Sequence, residues 1–282
     1  MAPDLIEHLG DSLIQHGKGS DRIYLMKLKD PDPSGIIEDL EELAEEHDYS
    51  KIFAKIPARA QEDFLEAGYE IEARVPKFFA GREDGLFLGK FLSEWRREDE
   101  AEEVIDKVLQ TSFEKAEGTG LKQLSGDARV REMTPADAPD MAALYRKVFS
   151  TYPFPIFDPG YLEETMHSHI RYFGVVRSGA IQALASSETD PAQKNVEMTD
   201  FATHTSEQGK GLACILLRHM EDAMRKDGFA TAYTIARAES FGMNIAFARC
   251  GYDFGGTLTN NTNIGGSLES MNVWFKPLDA GR

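Results

Sequence analysis

The chain has 282 residues and a net charge of −17, from 31 Lys and Arg against 48 Asp and Glu. This charge disfavours a nucleic-acid partner, because a phosphate backbone repels an acidic surface. The apolar fraction of 41% is sufficient for hydrophobic cores, and no apolar run approaches the roughly 18 residues that span a bilayer. Residues 1–10 contain acids and no basic cluster before an apolar core, so we do not expect a secretory signal, and Cys214 and Cys250 form no zinc-binding pattern. We therefore expect a cytoplasmic protein that has no metal, no membrane anchor and no nucleic-acid partner.

Charge and glycine content divide the chain into two parts. Residues 1–128 hold 16 Lys and Arg against 30 Asp and Glu, a net charge of −14, whereas residues 129–282 have a net charge of −3. The segment 118–127 is rich in glycine and poor in apolar residues, as linkers are. We predict an N-terminal α/β domain over 1–125 and a second domain over 126–282.

The first part has an α/β pattern. Between residues 33 and 47, apolar residues recur at helical spacing and acids occupy the other face, which is typical of an amphipathic helix. A second, acidic helix is expected directly before the linker. The predicted elements are strand 21–29, helix 33–47, strand 50–56, helix 58–66, a strand ending near 75, strand 85–91 and helix 93–117.

The second part has the element order βααβββαβαββ. Thr134 is a helix N-cap followed by Pro135, and Asp158 with Pro159 opens a second helix. The predicted strands are 129–133, 170–176, 181–187, 195–203, 229–236, 252–258 and 268–276, and the predicted helices are 134–149, 158–168, 211–227 and 239–249.

The turn between strand 195–203 and helix 211–227 carries the clearest chemical signal. Gly209 and Gly211 let the backbone approach a ligand closely, and the N–H groups at the start of a helix favour an anion. The spacing fits neither a Walker phosphate loop nor the Rossmann fingerprint. Taken alone, such a glycine pair more often only shapes a strand-to-helix turn.

Gln208, Gly211 and Ala213 match the signature Q/R-x-x-G-x-G/A, and with the element order over 129–276 this resembles the GNAT acyltransferase superfamily. The resemblance implies a mixed α/β sheet and acetyl-CoA as co-substrate. It also implies that the backbone of the turn binds the pyrophosphate, while the preceding strand binds pantetheine and polarises the thioester carbonyl. The implied cofactor-binding residues are Phe201, Ala202, Thr203, Gln208, Gly209, Lys210, Gly211, Leu212, Ala213, Ser240 and Asn244.

Acetyl transfer to an amine requires a general base, because an ammonium has no lone pair. By resemblance the base is Glu197, although a solvated strand carboxylate is the other interpretation of this residue. Asp200 is the alternative base, or it attracts the substrate cation. The tyrosine that usually protonates the leaving thiolate corresponds to Phe247, which has no proton to give. The acid is therefore unassigned. Tyr252 and Tyr233 are candidates, but a packed aromatic is the favoured interpretation of each.

A more specific resemblance extends over both parts. It is carried by Ser12–Gly17, Asp21–Lys27, Tyr49–Pro57, Asn195–Thr203, Thr231–Ala238, Gly242–Asn244 and Met271–Lys276. Together these stretches resemble the beta-lysine N-acetyltransferase family. The resemblance implies transfer of acetyl to the side-chain amine of β-lysine, which gives Nε-acetyl-β-lysine, a compatible solute.

Other acceptors and another class of function stay open. A polyamine, another amino acid or a protein lysine is an alternative acceptor, and a non-catalytic acyl-CoA-binding module is the alternative outside enzymes. The expected partner is a small diamine, and a homodimer is compatible with the sequence. Arg237 could hold a substrate carboxylate, or be an exposed arginine at a strand end.

The first part contains an echo of the second. Phe64-Leu-Glu-Ala-Gly68-Tyr69 echoes Phe247-Ala-Arg-Cys-Gly251-Tyr252, which suggests that residues 20–92 are a degenerate half-GNAT copy. That copy lacks the glycine turn, so we do not expect it to bind CoA. An unrelated small α/β domain is the alternative.

Overall fold

The computed structural model describes residues 4–29, 33–116 and 123–278. Strands and helices are interspersed along these ranges. The strands are β1 (Leu5–Leu9), β2 (Ser12–Gly17), β3 (Arg22–Lys27), β4 (Lys51–Pro57), β5 (Glu70–Phe79), β6 (Glu83–Phe91), β7 (Arg129–Glu132), β8 (Ile170–Arg177), β9 (Ala180–Asp190), β10 (Asn195–Thr203), β11 (Thr231–Arg237), β12 (Asp253–Ile264) and β13 (Ser267–Pro277). The α-helices are α1 (Pro33–Glu46), α2 (Gln61–Glu66), α3 (Glu102–Ala116), α4 (Ala138–Val148), α5 (Pro159–Met166), α6 (Leu212–Lys226) and α7 (Phe241–Arg249). Among the residues that the structure describes, no helix is long and apolar enough to cross a membrane.

Beyond shifts in where predicted elements end, such as β12 running to Ile264, the structure differs from the prediction in two places. The hairpin of β1 and β2 is not predicted, because both strands are short and their buried positions include the polar Gln15. The acidic helix predicted from residue 93 begins only at Glu102. Arg96 is drawn into the core instead, where its guanidinium donates to the Ser20 carbonyl at 2.8 Å. This hydrogen bond fixes the position of Arg96, and the helix begins only after it, at Glu102.

The strands of the described ranges form one mixed sheet, in the order β1-β2-β3-β4-β6-β5-β12-β13-β11-β10-β9-β8-β7. The two parts of the chain meet inside this sheet, where antiparallel β5 and β12 share one register pair, Ala73 and Gly256. The strand pattern is the same on both sides of that junction. β3 is parallel to β4, which is antiparallel to β6, just as β10 is parallel to β11, which is antiparallel to β13.

The two parts also share local contacts. The rings of Phe64 and Tyr69 meet edge-on with their centroids 5.0 Å apart, and those of Phe247 and Tyr252 do so at 5.2 Å. A lysine on the last strand of each part pairs with a glutamate on a helix, and the two pairs are Lys90–Glu41 at 2.5 Å and Lys276–Glu221 at 2.7 Å. These likenesses support the hypothesis of a degenerate copy, which remains a prediction.

Helices cover the faces of the sheet. α1 and α2 pack on the N-terminal strands around Phe64, and α6 and α7 pack on the C-terminal strands around Phe247. α3 belongs to the first part by sequence, but it packs against α7 of the second part. The division at residue 125 therefore stays a prediction, and Gly118 and Gly120 of the expected linker lie outside the described residues.

The junction between β5 and β12 requires a glycine. Gly256 has a φ of +143°, and a Cβ at this position would lie 2.1 Å from the Glu72 carbonyl oxygen. A buried ion pair lies at the same junction. Lys51 Nζ lies 2.8 Å from the Glu72 carboxylate and donates to the Thr259 carbonyl at 2.7 Å. Burial lowers the pKa of Lys51 to about 8, and the Glu72 charge opposes that shift. Close backbone packing and this ion pair hold the two parts together.

Gly256→Ala should lower the free energy of unfolding by about 2–4 kcal/mol, because the new Cβ overlaps the backbone of β5 in a strained conformation. Urea unfolding followed by circular dichroism measures the loss. Gly35→Ala in α1 is the matched control, since its Cβ would meet no atom within 4 Å and alanine favours a helix. Equal stability of Gly256→Ala and the wild type would contradict the close approach.

Candidate active site

A cavity of about 820 Å³ lies between the two parts of the chain. β3 and β4 form one wall, and β10 and β11 form the other. Contacts cross the gap, since Lys55 Nζ donates to the Tyr233 hydroxyl at 3.1 Å and Lys27 Nζ lies 3.0 Å from the Asp190 carboxylate. The volume is in the range of small-molecule sites.

A wedge opens along β10. This strand pairs with the parallel β11 only over Asn195–Glu197, and its register with β9 shifts between Thr199 and Ala202. Beyond these positions β10 and β11 diverge, and Phe201 lines the cavity there. The predicted pantetheine-binding residues Phe201, Ala202 and Thr203 therefore lie on the diverging half of the strand, where backbone groups on the β11 side have no strand partner within the described ranges.

Glu197 faces the cavity from β10. Register pairs place Tyr233 of β11 on one side of it and Glu188 of β9 on the other. The Tyr233 hydroxyl and the Ile235 amide lie near the Glu197 carboxylate and favour its ionised form. Burial raises the pKa of Glu197, and the Lys55 ammonium acts against that rise. A carboxylate with a raised pKa is a stronger base toward an ammonium, so this geometry suits the predicted role.

The positive charge beside Glu197 comes from the N-terminal part. Lys55 on β4 donates to the Tyr233 hydroxyl at 3.1 Å, and its Nζ lies 5.8 Å from the ring centroid of Tyr24 on β3. Burial alone would lower the pKa of Lys55, but Tyr24 and Glu197 outweigh burial and raise it. Lys55 therefore stays charged and stabilises the ionised form of Glu197.

Asp200 has both carboxylate oxygens engaged. It sits at the irregular point of β10 with a φ of +55°. It accepts one hydrogen bond from Ser186 Oγ at 2.5 Å and another from the Tyr152 hydroxyl. Burial raises the pKa of Asp200, and these two hydrogen bonds oppose the shift. The alternative role of Asp200 as base fits this arrangement less well than a role in holding Tyr152.

Four acids line the cavity. Asp190 is paired with Lys27, and the other three are Glu188, Glu197 and Asp200. Burial raises the pKa of Glu188 well above its ordinary value, and the charges of Glu197 and Asp200 raise it further. A cationic ligand would relieve this repulsion, so the wall formed by β9 and β10 favours an amine. In the described ranges, no group of His, Cys, Asp and Glu is arranged to hold a metal ion.

The turn after β10 has the predicted form. Thr205–Glu207 make one 3-10 turn, and Gly209 and Gly211 follow with φ values of +74° and +81°. Gly211 is the N-cap of α6, whose first N–H groups have no acceptor within the helix. Gln208 lines the cavity, and Lys210 Nζ donates to the Glu207 carboxylate at 2.8 Å. The turn therefore opens at the edge of the cavity.

Ser240 lines the cavity at the start of α7, but Asn244 does not. Asn244 is fully buried, and its Nδ2 donates to the carbonyls of Arg237 at 3.0 Å and Ser240 at 2.8 Å. Its Oδ1 accepts from Asn272 at 2.9 Å and from Trp274 at 2.8 Å. Because these bonds use both ends of the amide, the predicted contact between Asn244 and CoA does not agree with the structure.

Tyr252 lies outside the cavity lining. Its buried ring packs on Phe247, which occupies the cavity wall. Burial raises the pKa of Tyr252 well above its ordinary value, and the nearby Glu221 of α6 raises it further. The predicted role of Tyr252 as the acid does not agree with this position. Tyr233 does line the cavity, but it is held between Lys55 and Glu197.

Sequence reasoning missed the wall that the N-terminal part contributes. Gln15, Arg22, Tyr24 and Lys55 line the cavity. The local signal is weak, since each is only a polar residue within an otherwise apolar strand. Lys55 and Tyr233 are 178 residues apart, a separation at which no local pattern indicates contact.

Parallel strands that diverge beside a glycine-containing helix N-terminus are the arrangement of the GNAT acetyltransferases. The model of the Acetyltransferase (GNAT) family matches residues 138–252, which include β10, the turn and α7. Among solved structures, an N-acetyltransferase from Staphylococcus aureus Mu50 is 19% identical with a TM-score of 0.49, covering 55% of this chain and 100% of that chain.

Two curated relatives match nearly the whole chain. A beta-lysine N(6)-acetyltransferase from Methanococcus maripaludis is 38% identical over 275 residues, which cover 96% of this chain and 98% of the relative. The protein of the same name from Methanosarcina mazei is 33% identical and covers 85% of this chain and 95% of the relative. The chain belongs to the beta-lysine N(6)-acetyltransferase family of GNAT enzymes, whose co-substrate is acetyl-CoA.

Glu197→Gln should lower kcat near neutral pH by about 10²–10⁴-fold, because an amide cannot accept the proton of the amine. The KM for acetyl-CoA should stay nearly unchanged, since the turn and the wedge remain intact. Thiol release under steady-state conditions measures both quantities. Glu188→Gln is the matched control in the same cavity and should keep most of kcat. An unaltered kcat in Glu197→Gln would remove this residue as the base.

Lys55→Met should move the acid limb of the kcat profile to higher pH. The Lys55 ammonium lowers the pKa of Glu197, so its loss raises that pKa and leaves more of the carboxyl protonated at a given pH. Activity lost at low pH should return as the pH rises. Lys55→Arg keeps the charge and should keep the profile. Superimposable profiles for Lys55→Met and the wild type would exclude this coupling.

Proposed function

We propose that this protein transfers the acetyl group of acetyl-CoA to the side-chain amine of β-lysine, with Nε-acetyl-β-lysine as the product. The observation that carries the proposal is the similarity along nearly the whole chain to two relatives named for that activity. The cavity supports it, because Glu188, Glu197 and Asp200 make one wall attractive to an amine.

In the proposed reaction, the backbone of Gln208–Ala213 binds the pyrophosphate of acetyl-CoA and the wedge along β10 binds its pantetheine arm. A backbone amide of the wedge polarises the thioester carbonyl. Glu197 takes the proton of the substrate ammonium, directly or through a water, and the freed lone pair attacks the carbonyl carbon. A C–N bond forms as the C–S bond breaks.

The leaving thiolate has no dedicated acid in this proposal. Phe247 stands where a tyrosine would be expected, and Tyr252 does not line the cavity. A thiol has a pKa of about 8.5, so its anion is an adequate leaving group near neutral pH. The thiolate takes its proton from solvent or from the attacking nitrogen, which must lose a second proton to become the amide.

The N-terminal part closes the cavity in this proposal. Its strand order supports an origin as a half-GNAT copy, and its place across the gap from β10 supports a role at the substrate end. It supplies Lys55 and Tyr24 to the surroundings of Glu197. The copy would hold the substrate while the C-terminal part binds acetyl-CoA.

A place in the cytoplasm and a role of the product as compatible solute belong to the same proposal. The net charge of −17 supports it, since an acidic surface suits a protein in a salt-rich solution. The homodimer stays a prediction.

Incubation of the purified protein with acetyl-CoA and a panel of amines tests the function. The panel contains β-lysine, α-lysine, spermidine and a lysine peptide, and thiol release gives kcat/KM for each. β-Lysine should have the highest value, and NMR of the product should place the acetyl group on the terminal amine. A higher kcat/KM for spermidine or the peptide would show that this compound, and not β-lysine, is the acceptor. If none of the amines caused thiol release, the proposed acetyltransferase activity would be contradicted.

A further inference from the structure

An arginine with spare donor capacity lies in the wall opposite the acids. Arg22 of β3 is only 4% exposed and lines the cavity. Its Nη1 atom has no hydrogen-bond partner among the described residues. The guanidinium carbon lies 5.3 Å from the ring centroid of Tyr24 and 5.3 Å from that of Phe53. The two rings hold the side chain in place and leave Nη1 without a hydrogen-bond acceptor.

A second unsatisfied donor lies on the neighbouring strand. Gln15 of β2 is 2% exposed, lines the same cavity and has an Nε2 atom without a partner in the described ranges. Register pairs Gln15 with Tyr24, two positions from Arg22 on β3. Buried polar groups are nearly always hydrogen-bonded, so two adjacent unpaired donors in one cavity wall indicate a ligand that accepts.

Because the Arg22 guanidinium is a buried cation, we expect the partner that its Nη1 atom lacks to be an anion. Removal of Arg22 from water lowers its pKa to about 10, and neighbouring groups restore only part of the loss. A planar guanidinium with a free edge matches a carboxylate, which can accept two parallel hydrogen bonds.

The other arginines of the cavity are already paired. Arg237, the candidate from the sequence, donates from Nε to the Glu269 carboxylate at 2.7 Å and from Nη2 at 2.5 Å. Arg59 pairs with Glu83. Arg237 therefore has its bidentate edge occupied, and Arg22 takes its place as the candidate for a carboxylate.

We infer that Arg22, assisted by Gln15, binds the carboxylate of the amino-acid substrate and thereby selects amino acids over polyamines. The inference rests on the proposed function for the position of the reacting amine at Glu197. Arg22 and Tyr24 project to one face of β3 roughly 7 Å apart, and Tyr24 adjoins the Lys55–Glu197 group. In this arrangement an extended diaminohexanoate places its carboxylate at Arg22 and its terminal amine at the base.

Substrates with and without the carboxylate test this inference. β-Lysine and 1,4-diaminopentane differ only in that group, and the wild type should prefer β-lysine by about 100-fold or more in kcat/KM, as expected for a buried charge pair. Arg22→Met should lose that factor with β-lysine and change little with the diamine. Arg22→Lys should recover part of it, because the charge returns without the bidentate geometry.

Three results separate the possibilities. Equal use of the two substrates by the wild type, or equal losses on both in Arg22→Met, would overturn the inference. Arg22→Met could fold poorly, which its melting temperature and its KM for acetyl-CoA would reveal. In that case Gln15→Leu is a milder variant, which should also lower kcat/KM with β-lysine and change little with the diamine. If the wild type acetylates another amino acid instead of β-lysine, the proposed function fails, and the same comparison with that amino acid and its decarboxylated amine still decides the role of Arg22.

Discussion

The two parts of this chain form one sheet because the backbones of β5 and β12 can approach closely at Gly256. Gly256 faces Ala73 and the carbonyl of Glu72, where a side chain would collide with β5. The buried Lys51–Glu72 pair then ties β4 and β5 to β12. From this junction the strand order runs outward in the same sense on both sides, so that β3 and β4 come to face β10 and β11 across a cavity. The location of the active site thus follows from the way the sheet is joined.

Electrostatic compensation across that cavity gives the two walls different roles. Besides Asp190, which pairs with Lys27, the wall of β9 and β10 carries three carboxylates. Burial raises the pKa values of all three, and repulsion from the other acids raises those of Glu188 and Glu197 further. The wall of β3 and β4 carries Lys55 and Arg22. Lys55 limits the rise at Glu197 through charge and through Tyr233, whereas Arg22 faces the cavity with a donor unpaired among the described residues. A zwitterionic diamine complements both walls, because it brings ammonium groups to one and a carboxylate to the other.

Local patterns predicted the C-terminal part well and the shared cavity poorly. Alternation and the following glycine turn predicted β10 with the bounds that the structure has, and the turn itself lies at the cavity edge as expected. Asn244 and Tyr252 have the right residue types at plausible spacings, but tertiary contacts bury one in a hydrogen-bond network and direct the other toward α6. The contributions of Arg22 and Lys55 depend on the pairing of β5 with β12 and on contacts over 178 residues, which no periodicity encodes. For the same reason, local patterns did not predict the hydrogen bond from Arg96 to the Ser20 carbonyl, which delays the start of α3.

A crystal structure of the protein with CoA and Nε-acetyl-β-lysine tests the central claim, that both parts of the chain build one substrate site. The account predicts the acetylated nitrogen beside Glu197, the CoA pyrophosphate at Gln208–Ala213 and the product carboxylate on Arg22 Nη1. A product bound entirely to the C-terminal part, with its carboxylate away from β3, would contradict it.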